Sequence, residues 1–307
     1  MTYADTYSQP DAPDPVLTDE RVLELARTHV PGINRVVAVD ESGGEARAYM
    51  CDQTVVVKTQ RPPRLRPRTS LRKEALILEH LAAAAVLVPR LLGYGQEEDV
   101  EYLVMTRIPG IPLEQAAIPE PERIAVLEAL GSTLRRIHEV DQEELENSGL
   151  IPGDAGADDL RRRVSAGFEA AIVVLEADPL WPKDMDLRGV ADSCLRALPS
   201  EADPVTLHSN PGPEHCFVDP AGNTFSGLID FGDAYRSHPA LDVRSWASLQ
   251  DSRHMLEGYR ALGPLSPGFE DVWRTGILIT QLRLAARGHR TPTEVRETVS
   301  ELLNPLG

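Results

Sequence analysis

A chain of 307 residues with a formal charge of -17 exceeds what one hydrophobic core comfortably serves, and it lacks the cationic surface that nucleic acid or an anionic membrane would require. No run of twenty apolar residues occurs, so no membrane span is expected. Three cysteines, Cys51, Cys194 and Cys216, have the spacing of neither a zinc site nor a disulfide framework, which suits a reducing cytoplasm.

Residues 1–16 carry neither a basic segment nor an apolar one and are expected to be a disordered lead-in rather than a signal peptide. LTDERVLELARTHV has the periodicity of a short amphipathic helix. RVVAVD, ARAYMC and TVVVK then alternate as an antiparallel meander, with turns at ESGGE and Asp52-Gln53. The connection TQRPPRLRPRT cannot be regular, because its prolines remove donors and restrict their neighbours. SLRKEALILEHLAAAA predicts a helix capped by Thr69 or Ser70, with Leu71, Ala75, Leu78 and Ala82 on one face and Glu74 at its edge. A carboxylate there either snorkels to the rim or pairs with a lysine. Only Lys58, Lys73 and Lys183 are lysines among the 31 basic residues, so each invites a reason.

PRLLGYG and EYLVMTRI add two strands, and IPGIPL marks a boundary. A first domain is therefore expected over 17–107 and a second over 108–307. The second is chiefly helical, with short strands at TLH, CFVD and TFSGLID and a turn at DPAGN.

Lys58 on an apolar strand, Glu74 on the next helix, and Asp230 in Ile-Asp-Phe-Gly-Asp follow the order of a phosphoryl-transfer site. His208 to His215, HSNPGPEH, has the spacing of a kinase catalytic loop. Together with IDFGDA at 229–234 and HPALD at 238–242, these residues resemble the aminoglycoside phosphotransferase and choline kinase family. The resemblance implies an α+β, two-lobed protein-kinase-like fold with a small antiparallel-sheet N-lobe and a mainly helical C-lobe. It also implies ATP as cofactor with Mg²⁺ or Mn²⁺, and a small-molecule acceptor. Lys58 would bind the nucleotide phosphates and Glu74 would orient it. The backbone of Thr106 and Ile108 would meet adenine, with ESGGEARA as the nucleotide loop. Asp230 would hold metal, His208 and Asn210 would form the catalytic loop, and Asp242 would brace that loop.

The sequence departs from the family at two positions. Asn210 replaces the catalytic Asp: its amide accepts a hydrogen bond but takes no proton, and general-base help is commonly worth ~10²–10⁴-fold. His215 replaces a metal-binding Asn, so it is either a ligand that shifts preference toward Mn²⁺ or Zn²⁺, or only a hydrogen-bonding residue. Ser209 in place of Gly narrows the backbone choices, and Pro211 and Pro213 stiffen the loop. Asp233 is either a substitute base, or a salt-bridge or turn contact. Eight acidic residues and no Lys or Arg lie between Glu139 and Leu160, either to attract a cationic acceptor or as a solvated face. Arg61, Arg64, Arg66 and Arg68 would contact phosphates, a partner or the protein's own acidic surface. Three functions stay open: transfer of phosphate to a hydroxyl of a small, cationic molecule; a nucleotide-binding pseudokinase; and adenylyl transfer.

Overall fold

The computed structural model describes residues 7–219, 223–244 and 248–303. The turn expected at 219–223 falls largely outside them, as does the start of the lead-in. In chain order the elements are α1 (Asp19–Arg27), β1 (Val36–Asp40), β2 (Ala46–Cys51), β3 (Val55–Gln60), α2 (Leu71–Leu81), β4 (Leu91–Glu97) and β5 (Val100–Thr106). Then follow β6 (Ile111–Pro112), α3 (Glu120–His138), α4 (Glu143–Asn147), α5 (Ala157–Ala177), α6 (Leu187–Ala197), β7 (Val205–Leu207), β8 (Cys216–Asp219) and β9 (Thr224–Leu228). β10 (Tyr235–Ser237), α7 (Leu249–Arg260), α8 (Phe269–Ala286) and α9 (Pro292–Leu303) complete the chain. It divides into two compact units, one of Met1–Val126, Arg135–Pro152 and His208–Tyr235, the other of Leu127–Leu134, Gly153–Leu207 and Arg236–Gly307.

The first unit is built on an antiparallel sheet in the order β1-β2-β3-β5-β4. Strand alternation sends Tyr49, Cys51, Val55 and Val57 to one face, where they form a core with Val22, Leu25 and Ala26 of α1. The other residues of the same strands, Ala48, Met50, Val56 and Lys58, line a cavity. Lys58 therefore stands on the cavity face of a central strand, in register with Ala48 and Leu103. α2 is capped by Ser70, whose hydroxyl accepts from Lys73 N. It ends at Leu81, a turn earlier than its alanine-rich sequence suggests, so Ala82 is exposed and the buried face runs through Leu71, Glu74, Ala75, Ile77, Leu78 and Leu81.

A second small sheet in this unit, β6-β8-β9, carries the loop between Leu207 and Cys216. Gly110, at φ +97°, lets the chain pass β8 closely, since a Cβ there would stand 2.0 Å from Val218 O. Strand β9 stops at Leu228, short of the Asp230 expected to end it, because Asp230 turns into the left-handed region at φ +73°. In the segment before α1, Ser8 N donates to Leu65 O, and Asp14 reaches Arg61 at 2.7 Å and Arg47 at 3.3 Å.

The second unit is helical apart from the short β7-β10 ladder. α5 repeats Leu160, Val164, Phe168, Ala171, Ile172 and Leu175 along one buried face and packs on α8, which is buried nearly all round. Trp273 Nε1 donates to Val243 O at 2.6 Å. α3 and α7 cross with backbones touching: a Cβ on Gly258 would lie 1.9 Å from Glu128 O, and one on Gly131 would lie 1.9 Å from Met255 O. Gly258→Ala is expected to lower the unfolding free energy by at least about 1–3 kcal/mol, read as a lower urea midpoint at unchanged slope.

Candidate active site

A cavity of about 370 Å³ in the first unit is lined by Lys58, Thr106, Ile108, Glu214, His215 and Asp230, among others. Lys58 Nζ lies 2.8 Å from Glu74 Oε2 and 2.5 Å from Asp230 Oδ1. The pairing expected for Glu74 is thus realised, and the snorkelling alternative is excluded by its complete burial. Burial opposes the ammonium charge, but Asp230 and Glu74 outweigh it and raise the Lys58 pKa. For Asp230 burial is likewise overcome, by Lys58 and then His215, so its carboxyl is held well below the usual carboxylate range. Two carboxylates share one ammonium, and burial places the cost on Glu74, whose pKa is raised.

The catalytic-loop candidates form a connected chain from this cluster. Asp230 Oδ2 is 3.3 Å from His215 Nε2, and His215 Nδ1 is 2.8 Å from Asn210 O. A carbonyl only accepts, so Nδ1 carries hydrogen, and this orients the ring with Nε2 facing Asp230. Asn210 Nδ2 in turn donates to Glu214 Oε1 at 3.1 Å. His208 is fully buried. Its Nε2 donates to Ile229 O at 2.8 Å while Nδ1 accepts from Asn210 N at 3.3 Å, which clips the loop to the segment before Asp230. Ser209 is strained at φ +79°, the region its replacement of glycine makes costly, by about 1–2 kcal/mol. Asp242 is fully buried and belongs to the second unit.

At the edge of the cavity, Thr106 N donates to Arg90 O and Arg107 N to Thr54 O, so the Thr106 amide is already committed. Three amides of the 41–45 turn are also committed: Ser42 N to Asp40 Oδ1, Gly44 N to Glu41 O and Glu45 N to Gly43 O. That leaves less of the expected amide cradle than the two glycines suggest.

The remaining arginines and Asp233 resolve as internal contacts. Arg61 pairs with Asp14, and Arg66 Nε lies 2.8 Å from Glu45 Oε1. Arg64 sits over the Tyr7 ring and Arg68 over Tyr235. Asp233 accepts from the Thr69 hydroxyl, which favours the turn contact over the substitute base. Ser70 N donates to Gly232 O, and Lys73 Nζ to the carbonyls of Arg68 and Ala234, each at 2.6 Å. The start of α2 is therefore latched along 231–235. In the acidic stretch, Asp154 is taken up within the second unit by Arg163 and Ser237, so it does not await a cationic acceptor. Sequence reasoning missed Lys73 and Glu214. The scarcity of lysine was a signal for the first; nothing in the spacing pointed to the second.

The aminoglycoside 3'-phosphotransferase of Streptomyces fradiae is 29% identical over 159 residues, 52% of this chain and 57% of that protein. The enzyme of the same description from Streptomyces ribosidificus is 29% identical over 161 residues, with the same coverage. The chain thus spans a little over half the length of these curated relatives. Among solved structures, the streptomycin-ATP-APH(2")-IIa ternary complex superposes with a TM-score of 0.55 at 18% identity, covering 94% of this chain and 97% of that one. The macrolide 2'-phosphotransferase MphH from Brachybacterium faecium gives 0.56 at 18% identity, covering 94% and 99%. These likenesses establish the protein-kinase-like fold of an antiparallel-sheet N-lobe and a helical C-lobe. The family model described as the phosphotransferase enzyme family matches residues 34–263, a span that includes every element of the cavity from β1 to Asp233, and the chain belongs to that family.

Proposed function

We propose that the protein transfers the γ-phosphate of ATP to a hydroxyl of a small, cationic molecule, an aminoglycoside or a compound like it. The observation that carries this reading is the single ammonium of Lys58 held between Glu74 and Asp230 at the wall of an open cavity. Phosphoryl transfer asks mainly for positioning and for charge placed where negative charge accumulates. Lys58, kept protonated by two carboxylates, meets the nucleotide phosphates. Glu74 sets its direction. Thr106 O and the backbone of Ile108 receive the adenine edge.

Asp230 suits Mg²⁺ or Mn²⁺, because its carboxylate is firmly ionised, offers hard oxygen donors and is 35% exposed. A bound divalent ion would neutralise charge on the transferring phosphate. His215, held through its Nδ1–H on Asn210 O, turns Nε2 toward Asp230 and keeps the catalytic loop beside that carboxylate. The aminoglycoside class rests on the Streptomyces relatives. The need for ATP and the three buried free thiols suit work in the cytoplasm.

Calorimetric titration of ATP with Mg²⁺ and then Mn²⁺ tests this reading. Binding is expected with either metal and is expected to be lost in Asp230→Ala. Absence of binding with both metals would sink it, whereas binding with no transfer to any acceptor would be the behaviour of a nucleotide-binding pseudokinase. An AMP-modified product would instead reveal adenylyl transfer.

A further inference from the structure

Asn210 cannot take a proton, yet the loop that carries it brings a carboxylate to the same place. Glu214 lies four residues on, half-buried, lines the cavity and holds its Oε1 3.1 Å from Asn210 Nδ2. An acceptor hydroxyl directed at side chain 210 therefore comes within one hydrogen bond's length of the Glu214 carboxylate. The loop is shaped to keep it there. The carboxylate folds back over Gly212, where a Cβ would stand 2.3 Å from Oε2 and 2.6 Å from Oε1, so only a residue without a side chain leaves room. Pro211 and Pro213 stiffen the backbone on either side of that glycine. The amide of Asn210 donates to Glu214 Oε1 and so fixes where that oxygen stands. The His215 ring, hydrogen-bonded to Asn210 O, faces Asp230 at 3.3 Å, and Asp230 pairs with Lys58, so the Glu214 carboxylate sits beside the groups assigned to phosphate and metal. The other acidic side chains near the cavity, Asp230 apart, are placed differently: Asp233 is held by Thr69, Glu45 lies against Arg66, Asp40 is exposed and accepts from Ser42 N, and Glu114 is exposed.

We propose that Glu214 is the proton acceptor of this phosphotransferase, with Asn210 as its positioning residue. The inference rests on the function proposed above. In the step, the acceptor O–H bond breaks as its oxygen bonds to the γ-phosphorus. The proton passes to a Glu214 carboxylate oxygen, and the bond from the γ-phosphorus to the β–γ bridging oxygen breaks to leave ADP. Glu214 then returns the proton to water.

The test follows ADP release by the full chain with MgATP and kanamycin, streptomycin or water as acceptor, beside calorimetric titration of ATP. Glu214→Gln is expected to lower turnover by ~10²-fold while ATP affinity stays within about twofold. Adding Asn210→Asp to that variant returns a carboxylate to the loop and is expected to recover at least ~10-fold. Gly212→Ala keeps every charge and displaces only the Glu214 carboxylate, so it is expected to cost at least ~10-fold in turnover with an unchanged melting midpoint. Turnover by Glu214→Gln within about threefold of the parent, or no rescue by Asn210→Asp, overturns the inference. A parent that binds ATP but releases no ADP with any of the three acceptors overturns it too, and leaves the nucleotide site standing. A parent that binds no ATP overturns the function on which it rests.

Discussion

Lys58→Met is expected to abolish nucleotide binding and, at the same time, to cost about 3–5 kcal/mol of folding stability. The second effect follows from Glu74, which is fully buried with the Lys58 ammonium 2.8 Å from its carboxylate. Removing the ammonium leaves Glu74 facing Asp230 with the cation gone, and two nearby carboxylates then have to be accommodated, one by taking up a proton. The two consequences separate in a second variant. Lys58→Met combined with Glu74→Leu replaces the buried pair by apolar volume and is expected to recover most of the stability, but none of the ATP affinity. Urea unfolding reads the first quantity and calorimetry the second. ATP affinity equal to the parent's in Lys58→Met would remove Lys58 from the phosphate site. Asp230 adds an acid-side signature. Its pKa is depressed in the fold, so its contribution is present above the free value of 3.8 and disappears as pH falls through the folded value.

The second large effect belongs to Lys73. It is 1% exposed, and its ammonium donates to two backbone carbonyls, so burial, opposed by Asp233, takes its pKa down to about 8. A free lysine holds its proton to about 10.5. Between those values the unfolded chain binds more protons than the folded one, so this group's contribution rises with pH, by ~3 kcal/mol across the interval. Below pH 8 the folded protein bears the whole penalty. Buried thiols act in the opposite direction above their free value of 9.0, with Cys51 pushed up to about 11 and Cys216 to about 12. The difference between parent and Lys73→Met cancels them. That difference in unfolding free energy is expected to shift by ~3 kcal/mol in the parent's favour from pH 8 to 10.5. A flat difference would mean that the ammonium is not desolvated in the latch along 231–235.

Much of the site was legible before any coordinates. The sequence placed Lys58 on an apolar strand, helical periodicity put Glu74 at the edge of the face of Leu71 and Leu78, and their order before HSNPGPEH and IDFGDA carried the resemblance that implied the fold. These are local regularities, and a backbone of fixed period writes them directly into residue spacing. What stayed hidden depended on contacts between distant segments. Lys73 meets Ala234 across 161 positions, and Lys58 meets Asp230 across 172. The arginines of 61–68 had three readings until Asp14, Glu45, Tyr7 and Tyr235 were found against them.

Glu214 illustrates the division at close range. It is only four residues from Asn210, but whether its carboxylate turns toward that amide depends on the backbone of a loop with Ser209 at positive φ and no side chain at Gly212. The order of elements, the phosphotransferase resemblance and the missing carboxylate at position 210 were determined by the sequence alone. Which carboxylate stands near that position was decided by the tertiary structure, because spacing prescribes direction only where the backbone is periodic, and in this loop it is not.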